Sequence, residues 1–339
     1  MRDEGLYPAT GSARDRFVLE RRGRQPHHDP WRSQGLIVED ECTADGNRAR
    51  MATVLLTGRE CPWRCAMCDL WTYTIVSDTP VGAIPAQIAA ARSALENDTM
   101  PVTGMKLYNA GSFFDPRAVP EADYDAVAGA LTGLSRVIVE SHPALVGPRV
   151  DRLVAALDRH SAHDRRPTQL EVAMGLETAH PDALDCLNKR ITLEDFARAA
   201  EALDERGVTL RVFLLISPPF IPGDEQDAWL LRSIDAAFSV GASVVSLVPT
   251  RPGNGAIDAL AAAGAFRAPD LDDIERSVAL ALRHARGRGR VFVDVWDLDR
   301  FTRCPQCAPS RRDRLQAMNL AQIVLAERPC AACDRGVLQ

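Results

Sequence analysis

Three cysteines stand close together at Cys61, Cys65 and Cys68, in the run Thr57-Gly-Arg-Glu-Cys-Pro-Trp-Arg-Cys-Ala-Met-Cys68. The spacing is C-x3-C-x2-C, directly after an apolar run at 51–56. A four-iron cluster usually takes four thiolates, one per iron. Three leave one iron open to a small molecule that chelates through an amino and a carboxylate group. A closed zinc knuckle would need a fourth ligand; Asp69 could serve, and His142 is distant.

The chain around this loop reads as a globular protein. It has 339 residues, 46% hydrophobic and 25% charged, enough for one large domain with appendages. Apolar runs are too short to span a bilayer. The N-terminus carries Asp3, Glu4, Arg14 and Asp15 with no apolar stretch, so no secretory signal is read there. The nine cysteines fall into metal-type clusters and not a dispersed disulfide framework. Both observations lead to the expectation of a cytoplasmic protein with no membrane partner. A net charge of −6 argues against general nucleic-acid binding and leaves room for a local basic surface.

Residues 1–50 lack periodicity and read as an extension followed by a short packed arm. From residue 51 a rhythm appears. Short apolar runs at 52–56, 104–109, 136–140, 170–175, 210–216 and 243–248 read as strands buried on both faces. Helical patterns lie between them at 84–95, 121–134, 150–159, 192–205 and 224–240. The fourth opens on Thr192 as N-cap with Asp195 three residues on. Alternating strands and helices predict a parallel sheet with right-handed crossovers. In such folds chemistry sits at the carboxyl ends of the strands, which is where the three-cysteine loop falls. The expected architecture is α/β: a partial (β/α)6 TIM-like barrel over 51–255, a barrel-completing segment over 256–300 with a strand near 291–297, and a small four-cysteine cap over 301–339.

The C-x3-C-x2-C loop after a first strand, followed by this alternation, resembles the radical S-adenosylmethionine superfamily over about residues 50–255. The resemblance implies a [4Fe-4S] cluster on Cys61, Cys65 and Cys68. It also implies bound S-adenosylmethionine, reductive cleavage to a 5′-deoxyadenosyl radical, and hydrogen abstraction from a substrate carbon. An electron donor of flavodoxin or ferredoxin type is implied as well. Lys106-Leu-Tyr-Asn-Ala-Gly-Ser-Phe-Phe-Asp115, Val139-Glu-Ser-His-Pro143, Leu170-Glu-Val-Ala-Met-Gly-Leu-Glu177, Leu187-Asn-Lys-Arg190 and Ser217-Pro-Pro-Phe220 look like segments of the archaeosine-synthesis radical enzymes. Those act on a modified base in transfer RNA and are similar in turn to the elongator-type catalytic subunit. A modified tRNA nucleoside is therefore the first expectation for substrate, a small metabolite the second. A non-catalytic iron–sulfur or zinc scaffold is the alternative of another class.

Further residues follow. Superfamily members usually place an aromatic residue before the last cysteine, beside the adenine; here it is Met67. Where they carry a Gly-Gly-Glu-type turn, this chain has Ala110-Gly111-Ser112. Asn109, Gly111 and Ser112 end the second strand with small residues and exposed amides, which suits a hydrogen-bonding edge for the cofactor's amino group. Ser112 equally fits a plain tight turn. Glu140 and Glu177 end strands, where a buried carboxylate must be paired or solvated; Glu177 looks like the family residue that accepts from the ribose hydroxyls. Arg190, its neighbour Lys189, or Arg211 would neutralise the methionine carboxylate. Thr250, Arg251 and Asn254, in a Pro- and Gly-shaped loop after the sixth strand, are substrate-side candidates.

Cys304-Pro-Gln-Cys307 and Cys330-Ala-Ala-Cys333 form a second, four-thiolate set. Two C-x2-C pairs suit a closed zinc site, with a second iron–sulfur cluster as the rival. Arg303, Arg311, Arg312 and Arg314 beside it suggest a basic face able to grip an RNA backbone.

Overall fold

A computed structural model describes residues 7–96, 98, 100–162, 167–327 and 330–334. Eight strands form one sheet in sequential order: β1 (Gly35–Cys42), β2 (Arg48–Leu56), β3 (Gly104–Asn109), β4 (Arg136–Glu140), β5 (Gln169–Glu177), β6 (Thr209–Ile216), β7 (Val244–Pro249) and β8 (Arg290–Val293). β1 runs antiparallel to β2, and every later neighbour pair is parallel. The helices are α1 (Gly11–Arg21), α2 (Ala83–Leu95), α3 (Tyr124–Ala130), α4 (Pro148–Ser161), α5 (Pro181–Cys186), α6 (Leu193–Asp204), α7 (Gln226–Ser239), α8 (Ala256–Ala262), α9 (Leu271–Ala285), α10 (Ala308–Ala321) and α11 (Ala331–Asp334). This is the partial barrel of the sequence reading, with the strand expected near 291–297 present as β8 and one unexpected strand, β1, at the other edge.

Alternation along the strands explains the curvature. Val54, Leu56, Met105, Leu107, Val137, Val139, Val172, Met174, Val212, Leu214, Val245 and Leu247 point outward and form one continuous core with α2, α3, α4, α6, α7 and α9. The intervening residues point inward and are of a different kind. Met51, Ile138 and Ala173 pack inside with Tyr108 and Phe213. Towards the amino ends of the parallel strands lies a buried charge network. Arg211 Nε donates to Glu171 at 2.6 Å, and its Nη2 to Glu41 at 3.0 Å. Lys106 reaches both Glu39 and Glu41 at 2.6 Å, and Arg136 pairs with Glu171. Removing one member would leave an uncompensated buried charge, at a cost of about 3–5 kcal/mol.

The residues between 7 and 50 carry more structure than their lack of periodicity suggests. β1 escapes a pattern search because its inward side chains include Glu39 and Glu41, whose charges look like surface residues and are satisfied by Lys106, Arg136 and Arg211 from distant strands. α1 packs Phe17 and Val18 against Ala66 of the cysteine loop and Ala256 of α8. The predicted cap at Thr192 is present: its hydroxyl accepts from Asp195 N–H at 3.1 Å, and the Asp195 carboxylate accepts from Thr192 N–H at 2.9 Å. Among the described residues, no helix is long and apolar enough to cross a membrane.

Candidate functional site

The loop after β2 carries Cys61, Cys65 and Cys68 across the carboxyl-end mouth of the barrel, and several distant segments hold its backbone. Ala66 N–H donates to Leu187 O at 2.9 Å. Asn188 Nδ2 donates to Arg64 O at 2.8 Å. Asn254 Nδ2 donates to Ala66 O at 2.5 Å, while its Oδ1 accepts from Ile257 N–H at 2.8 Å. Trp63, inside the loop, stacks on His142 with ring centroids 3.5 Å apart and planes 9° from parallel. His142 Nδ1 accepts from Ala144 N–H at 3.2 Å, which leaves Nε2 to donate to Lys189 O at 3.0 Å. Burial, then the Lys189 charge, pushes this imidazole down to about 3, so it is a neutral pin. Burial pushes the three thiols up to about 12, so they become thiolates only when a metal takes the protons' place.

Beneath the loop lie the groups that face the barrel. Lys189 Nζ and Glu177 Oε1 pair at 2.5 Å, both largely buried. β5 ends in a bulge between Gly175 and Glu177, and Glu177 takes φ 69°. A bulge re-aims the end of its strand. Here Glu177 and Lys189 close over Gly175 so tightly that a Cβ there would overlap both Glu177 Oε1 and Lys189 Nζ. Asn188, Arg190, Ser217 and Phe220 also take positive φ, all at this end of the barrel. Non-glycine residues in that region cluster where function over-determines the backbone. Burial raises Glu140 to about 8, against the lowering effect of Lys189. Asn109 is 3% exposed, and neither its Oδ1 nor its Nδ2 has a partner among the described residues. Such a buried amide calls for a ligand or water.

The other sequence candidates are placed as follows. Gly111 is required by packing: a Cβ would lie 2.6 Å from Arg59 O. Ser112 Oγ lies 3.0 Å from Ser141 Oγ and accepts from His142 N–H at 3.0 Å, so it is a turn residue. Met67 packs against Ile257, Leu260 and Phe266. Arg190 pairs with Asp15 of α1 and is half exposed. Arg211 lies in the charge network near the amino ends of the strands, committed to Glu41 and Glu171, away from the cysteine loop. Of the three cations named for the methionine carboxylate, the structure brings Lys189 to the mouth. Thr250 Oγ1 donates to Ile216 O at 2.8 Å, and Asn254 clamps the cysteine loop; neither is aimed at open space. Arg251 pairs with Asp294 at the end of β8. Asp294 was not a sequence candidate, although its place in Phe292-Val-Asp294 at a strand end was a readable signal.

The C-terminal cysteines converge. The ligand atoms of Cys304, Cys307, Cys330 and Cys333 all lie within 4.8 Å of one another. The arginines beside them form no free basic face. Arg311 pairs with Asp272 and Glu275, Arg312 with Asp299, Arg303 with Asp270, and Arg314 is buried against Glu275. The expected RNA-gripping face is neutralised by carboxylates that lie 13 or more residues away in sequence.

The site is thus a three-cysteine loop at the carboxyl mouth of a mostly parallel barrel, with a separate four-cysteine group near the C-terminus. Relatives narrow the likeness. Archaeosine synthase subunit beta of Methanosarcina acetivorans is 28% identical over 275 residues, covering 76% of this chain and 74% of that protein. The protein of the same name from Thermococcus kodakarensis is 28% identical over 163 residues, 46% of this chain and 47% of its own. No family model matches the chain. Solved structures with a similar course include coproporphyrinogen III oxidase from Escherichia coli, described as a radical SAM enzyme (TM-score 0.47, 13% identity, 68% of this chain and 52% of that one). Methylornithine synthase aligns with TM-score 0.45 and 11% identity over 84% and 85% of the two chains. Over three quarters of its length the chain is similar to archaeosine synthase subunit beta.

Proposed function

We propose that Cys61, Cys65 and Cys68 hold a [4Fe-4S] cluster whose open iron binds S-adenosylmethionine. The observation that carries this reading is a loop of three thiols set over a buried Lys189–Glu177 pair and over Asn109, whose side-chain amide has no partner among the described residues. Bound together, the two cofactors supply a one-electron cleavage whose product abstracts hydrogen from a substrate carbon. The chain's own residues position and shield. Lys189 offers a cation to the methionine carboxylate, and Asn109 donates through Nδ2 to a bound polar group. Glu177 takes the ribose hydroxyls once Lys189 turns to the carboxylate. Glu140, whose carboxyl is pushed by burial well above the usual carboxylate range, lines the mouth. Asn254, Asn188 and the Trp63–His142 stack fix the loop, and α1 covers it from water.

The proposed substrate is a modified nucleoside of transfer RNA, on the strength of the archaeosine synthase relatives. A small metabolite is the second reading, favoured by the ion-paired arginines of the cap. The proposed reductant is a flavodoxin- or ferredoxin-type protein, the proposed location the cytoplasm. The cap thiolates hold a metal ion, zinc by their donor set.

The test is anaerobic reconstitution with iron and sulfide, reduction with S-adenosylmethionine present, and assay for 5′-deoxyadenosine. Its formation supports the reading; its absence from protein carrying a full cluster refutes it. Stimulation by tRNA and not by free nucleosides would select the first substrate.

A further inference from the structure

The sheet has two edges, β1 and β8, and α10 lies against both. Its buried face carries Leu315 and Met318. Its far end does something more specific. Asn319 Oδ1 accepts from Val293 N–H at 2.8 Å, and Asn319 Nδ2 donates to Val293 O at 2.9 Å. Gln322 Oε1 accepts from Val291 N–H at 2.8 Å, and Gln322 Nε2 donates to Val291 O at 2.8 Å. Two side-chain amides thus stand in for a neighbouring strand along the free edge of β8. Across the same seam, Arg290 Nη1 donates to Cys42 O of β1 at 2.9 Å. Directly behind it is Glu41, whose pairing with Arg211 and Lys106 depends on a dry interior.

The four-cysteine group sits at the other end of this helix. Cys304 and Cys307 lead into α10. The chain then returns alongside it, with Arg314 donating to Leu325 O at 2.7 Å and to Ala326 O at 3.0 Å, and delivers Cys330 and Cys333. The sulfurs of Cys304 and Cys330 are 3.9 Å apart, those of Cys307 and Cys333 3.8 Å. A tetrahedral ion with metal–sulfur bonds of about 2.3 Å spaces its sulfurs about 3.8 Å apart. A four-iron cluster puts each thiolate on a different iron and spreads them wider. A disulfide would bring sulfurs to about 2.05 Å, and all four cysteines are free.

We infer that Cys304, Cys307, Cys330 and Cys333 bind one tetrahedral ion of the zinc class, and that this ion clamps α10 into the seam between β1 and β8, closing the barrel. The inference builds on the zinc reading above and is independent of the radical chemistry.

The experiment uses the full chain, purified anaerobically. Iron and zinc are counted in the wild type and in a Cys61→Ala/Cys65→Ala/Cys68→Ala variant. Hydrogen exchange is then followed by mass spectrometry as a zinc chelator is titrated in. The triple variant should lose its iron and keep about one zinc per chain. Chelation should speed exchange in β8 and β1 on the order of tenfold or more while β4 and β5 hold. Asn319→Ala/Gln322→Ala should speed β8 exchange with zinc still bound, a readout that stands even where cysteine variants fail to fold. A triple variant that still binds about four irons would make the C-terminal group a cluster and overturn the ion. Zinc loss with unchanged exchange at β8 would overturn the clamp. Neither outcome bears on S-adenosylmethionine cleavage.

Discussion

The two cysteine groups use one residue type for opposite ends. Cys61, Cys65 and Cys68 come from one short loop, yet they are not among the sulfurs gathered within 4.8 Å; the four C-terminal cysteines arrive as two pairs far apart in sequence and meet. Burial raises the first three thiols to about 12. In the second group the shifts are mixed: backbone N–H groups, that of Cys307 first, draw the Cys304 thiol below its usual value, while Cys307 and Cys333 are raised. The first loop is pinned through its backbone by Asn254, Asn188 and Leu187 and keeps its sulfurs free. The second group's two pairs are brought together by the Arg314 hydrogen bonds to Leu325 O and Ala326 O and meet through their sulfurs. An open site is rigid without its metal, whereas a closed site uses the metal as the fastening.

The largest test of that contrast removes the three loop thiols. Alanine at Cys61, Cys65 and Cys68 should abolish 5′-deoxyadenosine formation, a loss on the order of 10³-fold or more, because no chemistry remains without the cluster. Thermal stability should barely move, since the loop's fastenings are backbone hydrogen bonds. Collapse of the fold in this variant would show that the thiols, and not Asn254 and its partners, organise the loop.

Next comes the buried pair below the loop. Lys189→Ala leaves the Glu177 carboxylate unpaired in the barrel, a cost of about 3–5 kcal/mol. Gly175→Ala drives a methyl into the same pair and should cost about 1–3 kcal/mol, with weakened S-adenosylmethionine binding. Denaturant unfolding separates the two; equal stability of Lys189→Ala and wild type would place the pair in solvent. Asn254→Ala follows, removing hydrogen bonds to Ala66 O and from Ile257 N–H, at about 1–3 kcal/mol for the groups left unsatisfied. Its signature should be incomplete iron loading with full zinc.

Much of this was legible in the chain. Outward strand faces are apolar and periodic, so β2 to β7 and most of their helices announce themselves, as does Thr192 with Asp195. The three-cysteine loop is local and needs no tertiary knowledge. What stayed hidden depends on distant partners. Glu39 and Glu41 disguise β1 as surface until Lys106 and Arg211 are seen against them. Arg211 looks like an anion binder for the same reason: its two carboxylates lie 40 and 170 residues away. Asn254 and Thr250 resemble ligand-facing loop polars, but they spend their hydrogen bonds on backbone. The arginines by the cap read as a basic face until Asp270, Asp272, Glu275 and Asp299 fold over them.

Acid should probe the pin on the loop. His142 has its folded pKa depressed to about 3, below the ordinary value of 6.5. The unfolded chain takes up the proton first, so this histidine's contribution to stability is complete above about 6.5 and is lost as pH falls towards 3. His142→Phe keeps an aromatic face for Trp63 and cannot titrate. Its stability should fall less than that of the wild type between those pH values, followed by Trp fluorescence. Parallel curves would mean that the imidazole is not held neutral.

The smallest effect is expected next door to one of the largest. Lys189 and Arg190 are adjacent cations on the same loop, and the sequence offered both for the methionine carboxylate. The fold separates them. Lys189 turns inward to Glu177, whereas Arg190 turns outward to Asp15 and lies over Gly11, where an added Cβ would sit 3.4 Å from its Nη2. With side-chain exposures of 46% and 31%, the Arg190–Asp15 pair is largely screened by water. Arg190→Ala should therefore cost under about 1 kcal/mol, most of it in the docking of α1. S-adenosylmethionine affinity, measured by calorimetry on the loaded protein, should stay within about twofold of wild type, as befits a cation outside the mouth. A tenfold loss with unchanged stability would move the carboxylate partner from Lys189 to Arg190 and make the outward rotamer the resting state of a loop that rearranges on binding.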